Sequence, residues 1–325
     1  MPPADPDTVA SAAVVSLRAG GVVALPTETV YGLAADARDP QAVARIYAIK
    51  GRPADHPLIL HVADSSAADS WVRAVPRYAR RLMTRAWPGP LTLVLPRAQT
   101  VGDWVTGGQD TVAIRVPDHP LTLRILRDFG GAVAAPSANR FGHVSPTTAA
   151  HVVADLTGLL DPDRDMIVDG GSCPIGVEST IVDCTGAAPV VLRPGRYSGD
   201  EITELGGVTV APARGRKPRV SGTLTSHYAP TARVHVVTAV PQDSTGAGLI
   251  AAADVPTPPG MVRIMAPADT RDYAQRLYWA LRESDALALS EVFVIAPSDS
   301  SGLSGAVRDR VQRAAAMTDE RGDPR

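Results

Sequence analysis

Cysteine is scarce in this sequence, and histidine is not arranged to bind a metal. Cys173 and Cys184 are the two cysteines among 325 residues, too few for a disulfide framework and without the paired spacing of a zinc site. We interpret both as inert thiols in a reducing compartment. The seven histidines show no His-Glu-x-x-His or equivalent spacing, so no metal site is predicted from protein side chains.

Long apolar runs and a strong net charge are also missing. No run of about 18 apolar residues occurs, and residues 1–21 lack the basic region of a signal peptide, so we expect a cytoplasmic protein without a membrane span. The net charge is −2 and aromatic residues make up 4%. Both values argue against an extended charged or stacking surface for nucleic acid, and no stable direct binding to nucleic acid is expected.

Three familiar catalytic and phosphate-binding signatures are absent. The sequence has neither the Gly-x-x-x-x-Gly-Lys-Ser/Thr loop nor a Gly-x-Gly-x-x-Gly loop after a predicted strand, so a nucleotide would need another kind of cradle. It also lacks a Gly-x-Ser-x-Gly elbow, and Ser137 has no evident histidine and acid partners. Direct reaction between bound substrates is therefore favoured over covalent hydrolase chemistry.

What the sequence does contain is a regular alternation of strand and helix patterns. Short apolar segments such as 21–25 and 111–116 alternate with helical ones, for example 39–51, which has an aspartate cap, a first-position proline and a closing glycine. Ser145 before Pro146 likewise predicts a cap and a first helical residue, and Ser198 with Glu201 has the spacing of a capping box. This alternation predicts an α/β fold. We expect a large domain over residues 1–207, a long basic linker over 208–230 and a smaller α/β domain over 231–325.

Polar residues lie at the tips of several predicted strands, where open α/β sheets bind their ligands. A turn or surface role would explain any one of them, so the prediction rests on their recurrence. They are Thr27, Thr29, His61, Arg115, Ser137, Asn139 and Ser179.

Four cations are placed where they could gather triphosphate oxygens. Lys50 and Arg52 follow a predicted helix, and Arg193 precedes a Pro-Gly turn. A solvated or capping charge is the alternative for each. A solvated or capping role explains Arg115 least well, because this residue lies within an apolar strand, where an arginine needs an anionic partner.

Several motifs, in this order along the chain, resemble those of the YrdC-like L-threonylcarbamoyladenylate synthases. The motifs are Pro-Thr-Glu-Thr-Val-Tyr-Gly-Leu at 26–33, Lys-Gly-Arg-Pro with Pro-Leu at 50–58, Trp-Pro-Gly-Pro-Leu-Thr at 87–92, Ala-Pro-Ser-Ala-Asn at 135–139 and Gly-Val-Glu-Ser-Thr at 176–180. Ser-His-Tyr-Ala-Pro at 226–230 and the α/β tail are similar to the longer two-domain form. The resemblance implies a large twisted open α/β YrdC-like catalytic domain with a smaller Rossmann-like one.

The resemblance also implies a nucleotidyltransferase activity. L-Threonine, ATP and either bicarbonate or CO2 would condense to threonylcarbamoyl-AMP with release of pyrophosphate, and magnesium would enter with ATP. The product would pass to downstream enzymes that transfer the threonylcarbamoyl group to tRNA, next to the anticodon. The alternatives are a carbamoyltransferase, which would need acylphosphatase and zinc-finger segments not found here, and a non-catalytic RNA-binding module.

Roles carried over from this family fall on individual residues of the sequence. Lys50 and Arg52 would be catalytic. The threonine contacts would be Thr29, His61, Arg115, Ala135 and Ser179. The ATP contacts would be Lys50, Arg52, His56, Thr111, Ser137, Asn139, Ser145, Arg193 and Tyr228. Position 56 is often asparagine in such proteins, so histidine would make that contact titratable. The linker is expected to fold over the active site and bring Tyr228 onto the nucleotide.

Overall fold

Two β-sheets organise the chain in the computed structural model. It describes residues 5–213, 215, 217–222, 228–241 and 244–320, with side chains up to residue 316. In the described part, a sheet of nine strands is followed by a separate sheet of four strands. The predicted α/β class, with a larger unit before a smaller one, is confirmed.

The large sheet is mixed, and its strand order is β7-β1-β2-β6-β3-β5-β4-β8-β9. Its strands are β1 Val23–Leu25, β2 Gly32–Asp36, β3 Ile59–His61, β4 Leu91–Pro96, β5 Thr111–Arg115, β6 Val133–Ala134, β7 Met166–Ile167, β8 Thr180–Asp183 and β9 Val190–Arg193. The parallel pair β3 and β5 places His61 beside Arg115. Strand β6 is antiparallel to β3 on its other side, so segments distant in sequence end close together.

Helices cover this sheet, and their ends follow the expected capping rules. The helices are α1 Pro6–Arg18, α2 Pro40–Lys50, α3 Arg77–Ala86, α4 Asp103–Thr106, α5 Pro120–Phe129, α6 Ala149–Leu156 and α7 Gly199–Gly206, with a short 3-10 helix at Ala67–Ser70. Asp39 caps α2 and left-handed Gly51 ends it, as predicted. The predicted capping box of Ser198 and Glu201 is also present.

One predicted helix start was wrong. Ser145 and Pro146 suggested a cap and a first helical residue, but α6 begins at Ala149 and Thr148 is its cap. The Ser145 hydroxyl instead donates to the Glu178 carboxylate at 2.7 Å. A buried carboxylate accepts hydrogen bonds strongly, and this long-range partner outweighs the local capping signal.

The second sheet and its helices form what we call the C-terminal unit, described here over residues 231–316. All neighbouring strands of its sheet are parallel, in the order β10-β13-β11-β12. The elements are β10 Arg233–Val236, β11 Gly248–Ile250, β12 Val262–Met265, α8 Thr270–Ala286, β13 Glu291–Val294 and α9 Gly302–Glu320. The predicted Rossmann-like character of this unit is confirmed.

Apolar packing joins the C-terminal unit to the large one. The buried cluster of the C-terminal unit also contains Val30, Val144 and Val177 of the large unit. A Cβ added to Gly176 would lie 2.4 Å from the backbone of Gln275 in α8, so glycine allows the two backbones to touch. Among the described residues, no helix is long and apolar enough to cross a membrane.

A buried carboxylate ties α2 to the edge of the large sheet. Asp165 receives two bonds from Arg45, each 2.7 Å, and one from the Val22 backbone N–H at 2.8 Å. Burial raises the pKa of Asp165, but Arg45 and the N–H donors more than offset this and leave it below its ordinary value. The charged form is therefore the one that stabilises the fold.

Replacing Asp165 by asparagine should lower the free energy of unfolding at pH 7 by roughly 2–4 kcal/mol, because Arg45 loses its buried partner. The lowered pKa fixes the sign of the pH dependence. The contribution is present above the carboxyl's ordinary pKa and disappears as pH falls through the lowered value. Denaturant titrations at neutral and acidic pH measure it.

The exposed neighbour Asp163 provides the control for this experiment. Asp163→Asn should leave the unfolding free energy almost unchanged at both pH values. A difference between wild type and Asp165→Asn that stays constant into strong acid would contradict the charge-based explanation.

Candidate active site

A cleft opens where several strands of the large sheet end. Its walls come from segments that lie far apart in sequence. They are Thr27, Thr29, Val30, Gly32, Arg52, Ile59, His61, Arg115, Ala135, Pro136, Ser137, Glu178, Ser179, Arg193, Ser221, Gly222 and Tyr228.

All the residues predicted to contact threonine line this cleft. They are Thr29, His61, Arg115, Ala135 and Ser179. The sheet explains their convergence. Residues 61 and 115 are paired at the ends of β3 and β5, residue 135 directly follows β6, and residue 179 directly precedes β8. Their roles as ligands stay a prediction.

Arg115 is almost completely buried at 4% exposure and is held from three sides. Its Nε donates to the Gly89 carbonyl at 3.1 Å, and its Nη1 donates to the Thr29 hydroxyl at 3.0 Å. These bonds use two of the five N–H donors of a guanidinium group. Its Nη2 makes no well-directed hydrogen bond but lies against the Glu28 carboxylate, so the second N–H of Nη1 remains as a donor for an anionic ligand.

Glu28 is a buried partner of Arg115 that the sequence analysis did not single out. Its Oε2 lies 2.5 Å from Nη2 of Arg115, in a pair where both side chains are at most 6% exposed. Neither carboxylate oxygen receives a well-directed hydrogen bond, so this is a close charge contact. The motif at 26–33 contained Glu28, but only the folded loop between β1 and β2 reveals that it faces Arg115.

His61 is a neutral group at the floor of the cleft. It is 6% exposed, and its Nδ1 lies 3.2 Å from the Ile59 carbonyl. Burial and the positive charge of Arg115 lower its pKa to about 3. If Nδ1–H donates to Ile59, then Nε2 is left as an acceptor for a donor in the cleft.

Four of the residues predicted to bind ATP line the same cleft, and five do not. Those that line it are Arg52, Ser137, Arg193 and Tyr228, and those outside its walls are Lys50, His56, Thr111, Asn139 and Ser145. The residues predicted to bind threonine and some of those predicted to bind ATP therefore line one cavity.

Lys50 contacts the loop between β6 and α6 and does not face open space. Its Nζ donates to the carbonyl of Ser137 at 2.6 Å and to that of Asn139. The side chain is 3% exposed, and burial together with Arg52 lowers its pKa well below the usual value. Lys50 thus shapes the loop that presents Ser137. A direct phosphate contact by Lys50 stays a prediction.

The other residues outside the walls have local partners. Asn139 donates to the carbonyls of Arg140 and His143 at 2.9 and 2.7 Å. The ring of His56 lies edge-on to Phe141 with centroids 5.4 Å apart. Thr111 begins β5 opposite Pro96. Their predicted ATP contacts are untested.

Two cleft arginines share a partner in the linker. Ser221 Oγ accepts a bond from Arg52 at 3.2 Å, and its carbonyl accepts one from Arg193 at 2.8 Å. Arg193 also donates to the carbonyl and hydroxyl of Ser179. The arginines therefore connect the linker to the predicted threonine contacts. Burial lowers the pKa of Arg52 to about 10, so it stays cationic at neutral pH.

Tyr228 reaches the cleft from a strained backbone. Its φ is +67°, in the left-handed region that favours glycine. Gly222 lies against it, because an added Cβ would stand 2.0 Å from the Tyr228 hydroxyl and 3.1 Å from Nη1 of Arg193. The close approach explains a glycine that the sequence analysis did not select. Residues 223–227 of the linker motif lie outside the described residues.

The cleft offers cations and hydroxyl groups rather than a metal cage. Within the described residues, no group of three or more His, Cys, Asp or Glu side chains could hold a metal ion. The carboxylates beside the cleft, Glu28 and Glu178, are each paired with an arginine. Cys173 and Cys184 are buried free thiols.

Comparisons with known proteins agree with the motifs. A family model described as "Telomere recombination" matches residues 15–195, and one described as "Threonylcarbamoyl-AMP synthase, C-terminal domain" matches residues 197–316. The threonylcarbamoyl-AMP synthase of Bacillus subtilis is 46% identical over 243 residues, which span 73% of this chain and 68% of the relative. That of Pyrococcus abyssi is 46% identical over 226 residues, or 68% and 65% of the two chains.

A solved structure is similar over almost the whole chain. The crystal structure of Pyrococcus abyssi Sua5 complexed with L-threonine has a TM-score of 0.85 and 35% identity, and covers 96% of this chain and 95% of that chain. The family resemblance predicted from the motifs, including its two-domain form, is confirmed.

Replacing Gly222 by alanine should weaken ATP binding by roughly 1–2 kcal/mol, because the new methyl group displaces the Tyr228 hydroxyl. Calorimetric titration with ATP measures the loss. Gly158→Ala is the control, since Gly158 has a similar φ of +79° but open space around its Cβ position. Equal losses of ATP affinity in both variants would contradict the steric explanation.

Proposed function

The chain belongs to the threonylcarbamoyl-AMP synthase family in its two-domain form, and we propose that its cleft condenses L-threonine, CO2 or bicarbonate, and ATP to threonylcarbamoyl-AMP and pyrophosphate. One observation carries this proposal. The five residues assigned to threonine meet in a single cleft with Arg52, Arg193 and Tyr228 of the nucleotide set. The product would serve the enzymes that modify tRNA next to the anticodon.

Arg115 is the anchor for threonine in this proposal. Its Nη1 carries a second N–H beside the one that bonds to Thr29, and this N–H can donate to a carboxylate oxygen. Glu28 contacts Nη2 of the same guanidinium, so the group is held in place before the ligand arrives. The neutral acceptor of His61 and the hydroxyl of Ser179 are available for the polar groups of the amino acid.

The triphosphate would lie toward Arg52 and Arg193. Both are almost fully buried at 8% and 2% exposure, so their charges are poorly screened by water. Ser137 lines the same cleft, on the loop that Lys50 holds. Magnesium would arrive with ATP, coordinated by its phosphates and water, because the carboxylates of the cleft are already paired.

The chemistry then requires positioning and charge stabilisation. The neutral amine of threonine adds to the carbon of CO2, loses a proton and becomes a carbamate. If bicarbonate is the source, water leaves in this step. A carbamate oxygen next attacks the α-phosphorus of ATP while the bond to the β-phosphate breaks, so pyrophosphate leaves. Arg52 and Arg193 would stabilise the charge that develops on the phosphates.

The linker over residues 208–230 would act as a cover. Ser221 and Gly222 line the cleft, and Val220 packs into an apolar cluster with Ile59 and Val94. Closing the cleft would protect the mixed anhydride of the product from water. A chain that ends before Ala211 yet keeps full activity would contradict this role.

Pyrophosphate release tests the function directly. The protein is incubated with ATP, magnesium and bicarbonate, with and without threonine, and pyrophosphate is measured. We expect release that depends on threonine. ATP consumption with no threonine dependence, or binding of RNA with no pyrophosphate release, would refute the proposed activity.

Two arginine substitutions should affect the binding of threonine and the use of ATP differently. Arg115→Ala should lose threonine binding and Arg52→Ala should mainly lose ATP use, each by about 2 to 5 kcal/mol, because each contact is charge-assisted. Arg115→Lys keeps the charge but loses the planar fork, so it should also bind threonine poorly. Calorimetry measures threonine affinity, and initial rates give the KM for ATP.

Each variant is the control for the other. Thermal unfolding shows whether the fold is kept, since Arg115→Ala leaves Glu28 buried without its partner. Unchanged threonine affinity in a folded Arg115→Ala protein would refute the assignment of the carboxylate site.

A further inference from the structure

A chain of buried polar contacts runs from the last helix into the cleft. Arg310 of α9 is fully buried, and its Nε lies 2.7 Å from Oε2 of Glu178. Tyr278 of α8 donates to the same oxygen at 2.8 Å. The other oxygen of Glu178 accepts from Ser145 at 2.7 Å. Glu178 itself lines the cleft, so two side chains of the C-terminal unit hold one wall of it.

The same two side chains also support Tyr228. The guanidinium of Arg310 lies 5.3 Å from the centre of the Tyr228 ring, and Tyr278 stacks on this ring with centroids 5.6 Å apart. Tyr228 has a backbone that a non-glycine residue adopts only when its surroundings enforce it. Packing from the C-terminal unit provides that enforcement.

Charge gives Arg310 a further role. Burial raises the pKa of Glu178, but Arg310 and Arg193 outweigh this effect and hold it at about 2. Glu178 is therefore an anion in a cleft that must accept a polyanion. A neighbouring guanidinium cancels its repulsion of phosphates, which a low-dielectric site would otherwise amplify. Arg193 bonds to Ser179 and Ser221. Arg310 also bonds to Asp309 and to the Pro194 carbonyl, but its Nε donates directly to Glu178.

We propose that Arg310 is a positioning residue for the nucleotide half of the active site, acting from the C-terminal unit through Glu178 and Tyr228. It would set the affinity for a nucleoside triphosphate and leave threonine binding unchanged. The inference rests on the proposed function for its substrates. It assigns the C-terminal unit a part in the reaction, completing the wall of a cleft built mainly by the large unit.

A second ion pair between the same units provides a matched control. Arg282 of α8 binds Asp155 of α6 at 2.6 Å, with side chains 17% and 14% exposed. Neither residue lines the cleft. This pair thus joins the two units, as Arg310 and Glu178 do, without touching the site.

The test uses full-length protein and measures KM for ATP, kcat, threonine affinity and melting temperature. Arg310→Met should raise KM for ATP by about tenfold or more and change threonine affinity by less than about twofold. Tyr278→Phe removes only one donor to Glu178 and should raise KM for ATP by about threefold. Arg310→Lys should have a KM for ATP between those of wild type and Arg310→Met, because lysine restores the positive charge but not the planar guanidinium group.

The control double variant, Arg282→Met with Asp155→Asn, should lower the melting temperature and leave KM for ATP within about twofold of wild type. Three results would overturn the proposal. They are an unchanged KM for ATP in folded Arg310→Met, equal losses for ATP and threonine, and an equal loss in the control. If Arg310→Met does not fold, Tyr278→Phe decides, and an unchanged KM for ATP in that variant refutes the proposal.

The two hypotheses can fail separately. Wild-type protein that releases no pyrophosphate with threonine refutes the proposed activity. Calorimetric binding of ATP still tests Arg310 in that case, because weaker binding in Arg310→Met than in the control supports the inference and equal binding overturns it.

Discussion

A guanidinium group taken out of water must be surrounded by acceptors, and this requirement shapes the cleft. Arg115 is enclosed by Gly89, Thr29 and Glu28, while Arg193 is enclosed by Ser179 and Ser221. Unpaired charges here would destabilise the fold by several kcal/mol, of order 3–5. Each arginine therefore holds several chain segments in one arrangement. The donors that remain after this pairing are the ones that an anionic substrate can use.

The same requirement connects the two units of the protein. Apolar contacts around Val30, Val144 and Val177 hold the two units together, but such contacts do not by themselves fix the orientation of one unit against the other. The buried pair of Arg310 and Glu178 adds a directional contact that holds α9 against one wall of the cleft. A buried ion pair often adds little net stability compared with apolar packing. Its position beside the cleft gives it a role in arranging the site.

Local sequence patterns predicted many elements well but failed where a distant partner decided the outcome. The caps of α2 and α7 depend on residues a few positions apart, and both are present as predicted. Ser145 had an equally clear local signal, yet its hydroxyl bonds to Glu178, 33 positions away. Lys50 donates to two carbonyls of the loop after β6, contacts that no local pattern indicated, and its predicted phosphate contact stays a prediction. Local propensity contributes about 1 kcal/mol at such positions, less than a buried charge-assisted bond.

By itself, the sequence determined the α/β class, the ends of α2, the capping box of α7, the family and five residues, predicted to bind threonine, that meet in one cleft, because these follow from periodicity, caps and ordered motifs. Only the tertiary structure decided that Glu28 faces Arg115 and that Arg310 of the last helix bonds to Glu178. It also decided that the Tyr228 hydroxyl lies where a side chain at position 222 would be. These are contacts between segments up to 132 positions apart. A contact of that kind is set by strand order and by how two units pack, and neither leaves a local pattern in the chain.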